Sequence, residues 1–165
     1  SAQSTSPVSA LNKELERELI EMGNRDQSHR LKMMELLNKL SGPDRQKASE
    51  ELSQVVKMQD TIDQQNQARL DDIVKQFGWP TLSLVGKRAN QAAFMIVQHA
   101  ALGYQKKYLP LLREALAKKE TQPGDVAMLE DRVLMGDGKK QIYGTQVKIN
   151  EATKKWELWP IEDEE

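Results

Sequence analysis

Apolar residues recur along the first forty positions at spacings of three and four, with charged residues between them. The line runs through Val8, Leu11, Leu15, Leu19 and Met22, then resumes at Met33, Leu37 and Leu40. This is the period of one face of a helix. Gly42 and Pro43 end the pattern, because glycine suits a left-handed cap and proline cannot continue a helix. We therefore predict a first helix from Val8 to about Leu40, which Gly23 would kink or break.

A second apolar line predicts a long helix from about Pro43 to Phe77. Its members are Leu52, Val55, Gln59, Ile62, Asn66, Leu70, Ile73 and Phe77. Asn66 is polar, although the period assigns it to the interior. Gly78 is expected to cap the helix, and Trp79 should be extended because a residue before proline avoids the helical region.

The most apolar stretch of the chain, residues 92–97, lies in a third predicted helix from about Leu82 to Gly103. A helix that is apolar on most sides needs neighbours on most sides, so we expect it at the centre of the domain. Thr81 or Ser83 is the expected N-cap. Gln98 and His99 directly follow the apolar stretch, near the end of this helix.

The remaining chain predicts two more helices and a hairpin. The fourth helix covers about residues 104–119, with Pro110 at its first turn or at a kink. The fifth covers about residues 126–135 and is capped by Asp125. Residues 140–150 and 156–161 alternate like strands. A lone hairpin is marginally stable, so it should pack on the helices through Trp156 and Trp159.

These elements define the expected fold class, α+β and mainly α: a bundle of about five helices with a C-terminal β-hairpin packed on it. Residues 8–161 form a single domain. A disordered leader, residues 1–7, precedes it, and an acidic tail, residues 162–165, follows it. The small polar leader is typical of what remains after removal of a signal peptide or a purification tag. We expect export to the periplasm or cell envelope, with a cytoplasmic location as the alternative.

The composition argues against several classes of partner and cofactor. The net charge is −1, from 24 basic and 25 acidic residues, which argues against nucleic acid as a partner. No apolar stretch approaches the roughly 18 residues of a membrane span. The chain has no cysteine and two histidines without metal-ligand spacing, so we predict no metal and no cofactor. No oligomeric state is predicted.

Polar residues interrupt the apolar line on three helices: Asp26 and Arg30 on the first, Asn66 on the second, His99 on the third. Burying such groups without partners costs a few kcal/mol each, so they should meet one another or a ligand. Asp26 and Arg30 stand four apart, the spacing of an ion pair. The ion pair would hold the first helix and its neighbour together. Alternatively, Arg30 would bind an anionic ligand while Asp26 orients the arginine. His99 is a candidate proton carrier, or a core histidine bound to a backbone carbonyl.

Gly144, inside the first predicted strand, is a second candidate position for ligand binding. Glycine weakens a strand unless something approaches closely there. Because polar side chains flank it, we interpret this position as a ligand-facing edge, or alternatively as a β-bulge that packs on the central helix.

A series of short motifs extends over about residues 25–160: Arg25-Asp26-Gln27-x-x-Arg30, Asn66, Gly78-Trp79-Pro80-Thr81, Val85-Gly86, Gln98-His99-Ala100, Gln105, Leu109-Pro110-Leu111-Leu112, Asp131-Arg132 and Gln141-x-Tyr143-Gly144-Thr145-Gln146. In this order, the series resembles the signature of a bacterial family of unknown function. The resemblance implies export or envelope anchoring for many members and no settled activity. Members often carry Asp directly after His-Ala, where this chain has Ala101, which argues against a carboxylate role there.

Together these patterns predict a buried polar cleft for a small polar, anionic or peptide-like ligand. If the protein is an enzyme, it would perform metal-independent acid/base chemistry, with catalytic residues His99, Asp26 and Arg30. The predicted ligand-binding residues are Gln27, Asn66, Trp79, Gln98, Arg132, Tyr143, Thr145 and Gln146. The alternative is a non-catalytic envelope interaction module in which these residues form a structural hydrogen-bond network.

Overall fold

Five helices and a small hairpin make up the computed structural model, which describes residues 10–162. The elements are α1 (Lys13–Lys39), α2 (Arg45–Phe77), α3 (Leu82–His99), α4 (Leu102–Ala117), α5 (Pro123–Gly136), β1 (Val147–Ile149) and β2 (Trp156–Leu158). The predicted fold class is confirmed. The predicted leader, the predicted helix start at Val8 and residues 163–165 of the acidic tail lie outside the described residues. Within the described part, no helix is both long and apolar enough to cross a membrane.

Helices α1, α2 and α3 bury their apolar faces against one another. Leu19 of α1, Leu70 of α2 and Val97 of α3 are fully buried at the centre of this core. α1 continues through Gly23, where we had expected a kink or break. A Cβ atom at Gly23 would lie 2.9 Å from the Cβ of Ala92, so glycine allows α1 and α3 to approach closely at this point.

The central helix α3 differs from its prediction at both ends. Its first turn is separated from the rest by Gly86, whose φ of 76° and ψ of 170° are not helical. Thr81 occupies the N-cap position but makes no capping hydrogen bond with its side chain. The carboxylate of Glu120 accepts the backbone N–H of Ser83 at 2.8 Å instead. α3 ends at His99 and not at Gly103, because Ala100 is extended.

The next two helices begin earlier than the sequence indicated. α4 starts at Leu102, so Pro110 lies in its interior and not in its first turn. α5 starts at Pro123 after the N-cap Gln122. The prediction that Asp125 caps α5 was wrong, because its carboxyl group lies in the first turn and is buried. Burial raises the pKa of Asp125.

The hairpin is shorter than predicted. β1 and β2 are antiparallel, with Val147 opposite Leu158 and Ile149 opposite Trp156, and all four side chains are exposed. Trp156 is 70% exposed, so the prediction that it packs on the helices was wrong. Residues 141–146, predicted as strand, form a loop instead. The hairpin is joined to α5 through the hydrogen bonds of that loop and not through apolar strand faces.

Candidate functional site

Asp26 is the centre of a hydrogen-bonded cluster that joins three helices. It lies on the inward face of α1 and is 2% exposed. The Nε atom of Arg30 donates to its two carboxylate oxygens at 3.0 and 3.2 Å. Gln59 of α2 donates to Oδ1 at 2.7 Å, and Nδ1 of His99 lies 3.0 Å from Oδ2. The structure therefore brings together the three residues that we predicted as catalytic.

Asp26 is ionised at neutral pH despite its burial. Burial raises the pKa of this carboxyl group, but the hydrogen bonds from His99 and Gln59 and the positive charge of Arg30 outweigh burial, and the pKa lies below its usual value. A carboxylate can only accept hydrogen bonds. Nδ1 of His99 must therefore carry the hydrogen that it shares with Asp26.

Arg30 links α1 to α2 by a second carboxylate. Its Nη2 atom donates to both oxygens of Asp63, at 2.8 and 3.0 Å. Gln59 also donates to Asp63 at 2.7 Å. Two carboxylates thus bind the single guanidinium group of Arg30, and only its Nη1 atom has no hydrogen bond among the described residues.

Gln59 and Asp63 were not among the predicted site residues. Gln59 could have been predicted from the apolar line of α2, because it is a polar residue seven positions before Asn66 on the same buried face. Asp63 is half-buried and stands four residues after Gln59 and three before Asn66, so it borders the same face, but its neighbours Asp60, Asp71 and Asp72 made it look like another solvated carboxylate. Its role depends on how α1 and α2 pack.

The imidazole of His99 is bound through only one of its two ring nitrogens in the described part of the chain. His99 is the last residue of α3, and its side chain is 18% exposed. Nε2 makes no hydrogen bond to any other residue in the described range. In the neutral ring, the hydrogen on Nδ1 leaves Nε2 with a free lone pair. This geometry suits proton transfer at Nε2.

Asn66 lies beside this cluster and not within it. It is 2% exposed, and its Oδ1 accepts a hydrogen bond from Nη2 of Arg25 at 3.2 Å. Its buried Nδ2 has no partner. Asn66 and Arg25 line a separate cavity of about 310 Å³ between α1 and α2. Gln27, by contrast, reaches Asp26 by a long hydrogen bond of 3.4 Å.

A second cluster surrounds Arg132 on α5. Nε of Arg132 donates to Oε1 of Gln146 at 3.1 Å, and Nη1 donates to the backbone carbonyl of Gln98 at 3.0 Å. Arg132 is half-buried, and burial lowers the pKa of its guanidinium group. No carboxylate of the described residues pairs with it. The Gln98 side chain is also buried, and neither its Nε2 nor its Oε1 has a partner.

Residues 141–146 fold around the carboxylate of Asp131, which is fully buried. Asp131 accepts the backbone N–H groups of Ile142 at 2.7 Å, Tyr143 at 3.0 Å and Thr145 at 3.0 Å, together with the Thr145 hydroxyl at 2.9 Å. Burial raises the pKa of Asp131, but these hydrogen bonds outweigh it and the pKa lies below its usual value. Gly144 has a φ of 73° and lies in the loop before β1, outside both strands, so it is not a strand residue.

Hydrogen bonds of the Gln141 side chain also stabilise the loop of residues 141–146. Its side chain is fully buried and donates to the carbonyls of Gln146 at 3.0 Å and Trp159 at 2.6 Å. Its Oε1 accepts the backbone N–H of Gln146 at 2.8 Å. Neither Asp131 nor Gln141 was predicted as a site residue, although both stand in the motifs that carried the family resemblance. They hold Gln146 against Arg132.

Two predicted ligand-binding residues stand apart from both clusters. Trp79 is 5% exposed and packs against Tyr108, with 6.1 Å between the ring centroids. No hydrogen bond of the described residues joins Trp79 to Asp26 or Arg132. Tyr143 is 56% exposed, and its hydroxyl lies 3.4 Å from a carboxylate oxygen of Glu130.

The two clusters meet at the end of α3. The carbonyl of Gln98 binds Arg132, and the next residue, His99, binds Asp26. Most of the residues predicted for the cleft thus fall in two hydrogen-bonded clusters that share the end of α3. Among the residues that the structure describes, no group of three or more His, Asp or Glu side chains is arranged to hold a metal ion.

These features define a mainly helical α+β protein in which a buried carboxylate–histidine pair and a half-buried arginine flank the end of the central helix. The chain belongs to a family of unknown function, DUF6624, whose model matches residues 13–162. The resemblance to a family of unknown function is thereby confirmed. No curated protein and no solved structure matches the chain.

Proposed function

We propose that the end of α3 is a binding site for a small polar ligand with an anionic or peptide-like group, and that His99 exchanges a proton with it. The observation that carries this proposal is the Asp26–His99 pair. Nδ1 of His99 is bound to a buried carboxylate, while Nε2 has no hydrogen bond among the described residues.

The proton chemistry follows from this arrangement. As a base, Nε2 would accept a proton from the ligand, and the ring would become a cation. Asp26 would stabilise that cation across the 3.0 Å contact, as a buried carboxylate does in hydrolase triads. General acid–base catalysis of this type contributes about 10²–10⁴-fold to a rate. Asp26 and Arg30 are therefore positioning residues in this proposal, and His99 is the residue that touches the ligand.

Arg132 is the better candidate for the anionic group than Arg30. Two carboxylates already bind Arg30, whereas the hydrogen bonds of Arg132 go only to a side-chain amide and a backbone carbonyl. Holding a cation partly out of water without a counter-ion costs free energy. An anion at Arg132 would recover part of that cost.

The test is a thermal-shift screen of anionic metabolites and short peptides, each with an uncharged counterpart. A ligand of this site should raise the melting temperature of the wild type and of the Arg45→Gln variant, in which an exposed arginine at the start of α2 is replaced. It should not raise the melting temperature of folded Arg132→Gln. His99→Gln should keep binding but lose any turnover. Equal shifts in all four proteins would refute the proposal.

The competing function is a non-catalytic interaction module of the cell envelope. The hydrogen bonds of Asp26 favour this function. Both oxygens of its carboxylate already accept hydrogen bonds of 3.2 Å or less, from Arg30, Gln59 and His99. In that case the cluster only holds α1, α2 and α3 together. His99→Gln would then lower stability, and no compound of the screen would shift the melting temperature of the wild type.

A further inference from the structure

A groove between α1 and α3 has a volume of about 350 Å³. On α1 it is lined by Ile20, Gly23, Asn24 and Gln27, and on α3 by Arg88, Gln91, Ala92 and Met95. The residues on each helix are spaced three and four apart, so each set forms one stripe. The close contact of Gly23 with Ala92 brings the two helices together in the middle of the groove.

The groove leads toward the Asp26–His99 pair. On α3, His99 stands four residues after Met95, which places it one turn further along the same stripe. On α1, Gln27 lines the groove and also donates a hydrogen bond to Asp26 at 3.4 Å. A molecule that fills the groove would therefore extend to the side of α3 on which His99 lies.

The lining shows which chemistry the groove can bind. Asn24, Gln27 and Gln91 provide amide donors and acceptors, which match the N–H and C=O groups of a peptide bond. Ile20, Ala92 and Met95 provide apolar contact for a side chain. No acidic residue lines the groove.

Arg88 provides the only charge in this lining. It is exposed, and its Nη2 makes a long hydrogen bond of 3.4 Å to Oδ1 of Asn24. It pairs with no carboxylate within residues 10–162. A guanidinium group without a counter-ion, beside amides, suits a carboxylate.

We infer that this groove binds a short peptide-like molecule with a free carboxylate, whose carboxylate contacts Arg88 and whose amide groups face Asn24, Gln27 and Gln91. The volume is near the lower end of the roughly 300–1,000 Å³ typical of ligand pockets, so the groove accommodates one or two amino-acid units. This inference goes beyond the function proposed above, because it places the carboxylate at Arg88, whereas the proposed site holds its anionic group at Arg132.

The experiment is an NMR titration of the ¹⁵N-labelled protein with N-acetyl-alanyl-leucine and with the same dipeptide as its C-terminal amide. The acid should shift the amide signals of Gln27, Gln91 and Met95, and the amide form should bind at least ten-fold more weakly. Arg88→Gln should weaken binding of the acid at least ten-fold and leave the amide form unchanged. Arg45→Gln is the matched control for the loss of one positive charge and should bind like the wild type.

The titration distinguishes the groove from the proposed site. Shifts in the groove together with a change in the His99 ring signals would support both. Shifts in the groove without any change at His99 or Arg132 would support the groove alone. Shifts at His99 or Arg132 that Arg88→Gln leaves intact would overturn the groove alone. Absence of any shift with the acid at about 10 mM, roughly ten-thousand-fold above a micromolar Kd, would also overturn it, as would equal binding of both dipeptides.

Discussion

Replacing Asp26 tests whether its carboxylate holds the three central helices together. Asp26→Ala would leave Arg30, Gln59 and His99 without their shared acceptor inside the protein. Removing one partner of a buried ion pair costs about 3–5 kcal/mol. For a domain of this size that corresponds to a fall in melting temperature of roughly 6–20 °C. Asp26→Asn keeps the shape but loses the charge, so we expect a smaller loss of about 2–3 kcal/mol.

The pH dependence supplies an independent check on the same carboxylate. Because the folded pKa of Asp26 lies below its unfolded value, its ionisation stabilises the fold fully above the unfolded pKa of about 3.9. That contribution is lost as the pH falls through the folded pKa. The free energy of unfolding of the wild type should therefore rise with pH over the acid range and level off above about pH 5. Asp26→Asn should rise less steeply.

The assay is urea unfolding followed by circular dichroism, between pH 3 and pH 7. Asp60→Asn is the matched control, because Asp60 is exposed on α2, and such a surface change should alter stability by about 0.5 kcal/mol or less. The reasoning would be refuted if Asp26→Asn and Asp60→Asn had equal stability at pH 7, or if Asp26→Asn kept the full pH dependence of the wild type.

Two further predictions concern the core and the loop. Trp79→Ala should destabilise the protein by about 3–5 kcal/mol because Trp79 is buried, whereas Trp156→Ala, at an exposed position, should cost less than about 1 kcal/mol in the same unfolding assay. Equal losses would contradict the structure. Asp131→Asn removes an acceptor from the loop of residues 141–146, so the amides of Ile142 and Thr145 should exchange hydrogen at least ten-fold faster. Unchanged protection of these amides would show that the loop does not depend on Asp131.

The sequence determined most of the helical architecture, because an amphipathic helix carries its period in its own residues. The buried positions Leu15, Leu19 and Met22 of α1 lie on the predicted line, as do Ile62, Leu70 and Ile73 of α2. The same period identified Asp26, Asn66 and His99 as polar breaks before any contact was known. Local patterns can show that such residues face inward, since burial repeats with the helix.

Local patterns could not show which of these residues meet. Asp26 binds His99 across 73 positions of the chain, and Arg30 binds Asp63 across 33, so both contacts depend on how the helices pack. The same period that identified Asn66 could not show that it stands beside the cluster and pairs with Arg25.

Tertiary contacts also overrode strand propensity in residues 141–146. Alternation of polar and apolar side chains predicted a strand there, but the buried carboxylate of Asp131 accepts the backbone N–H groups that a strand would have given to a neighbour. A buried carboxylate needs several donors, and this loop supplies them. The period of the sequence thus determined the helices and their inward faces. Only the packing of α1, α2, α3 and α5 decided which buried charges share a partner, because those partners come from distant parts of the chain.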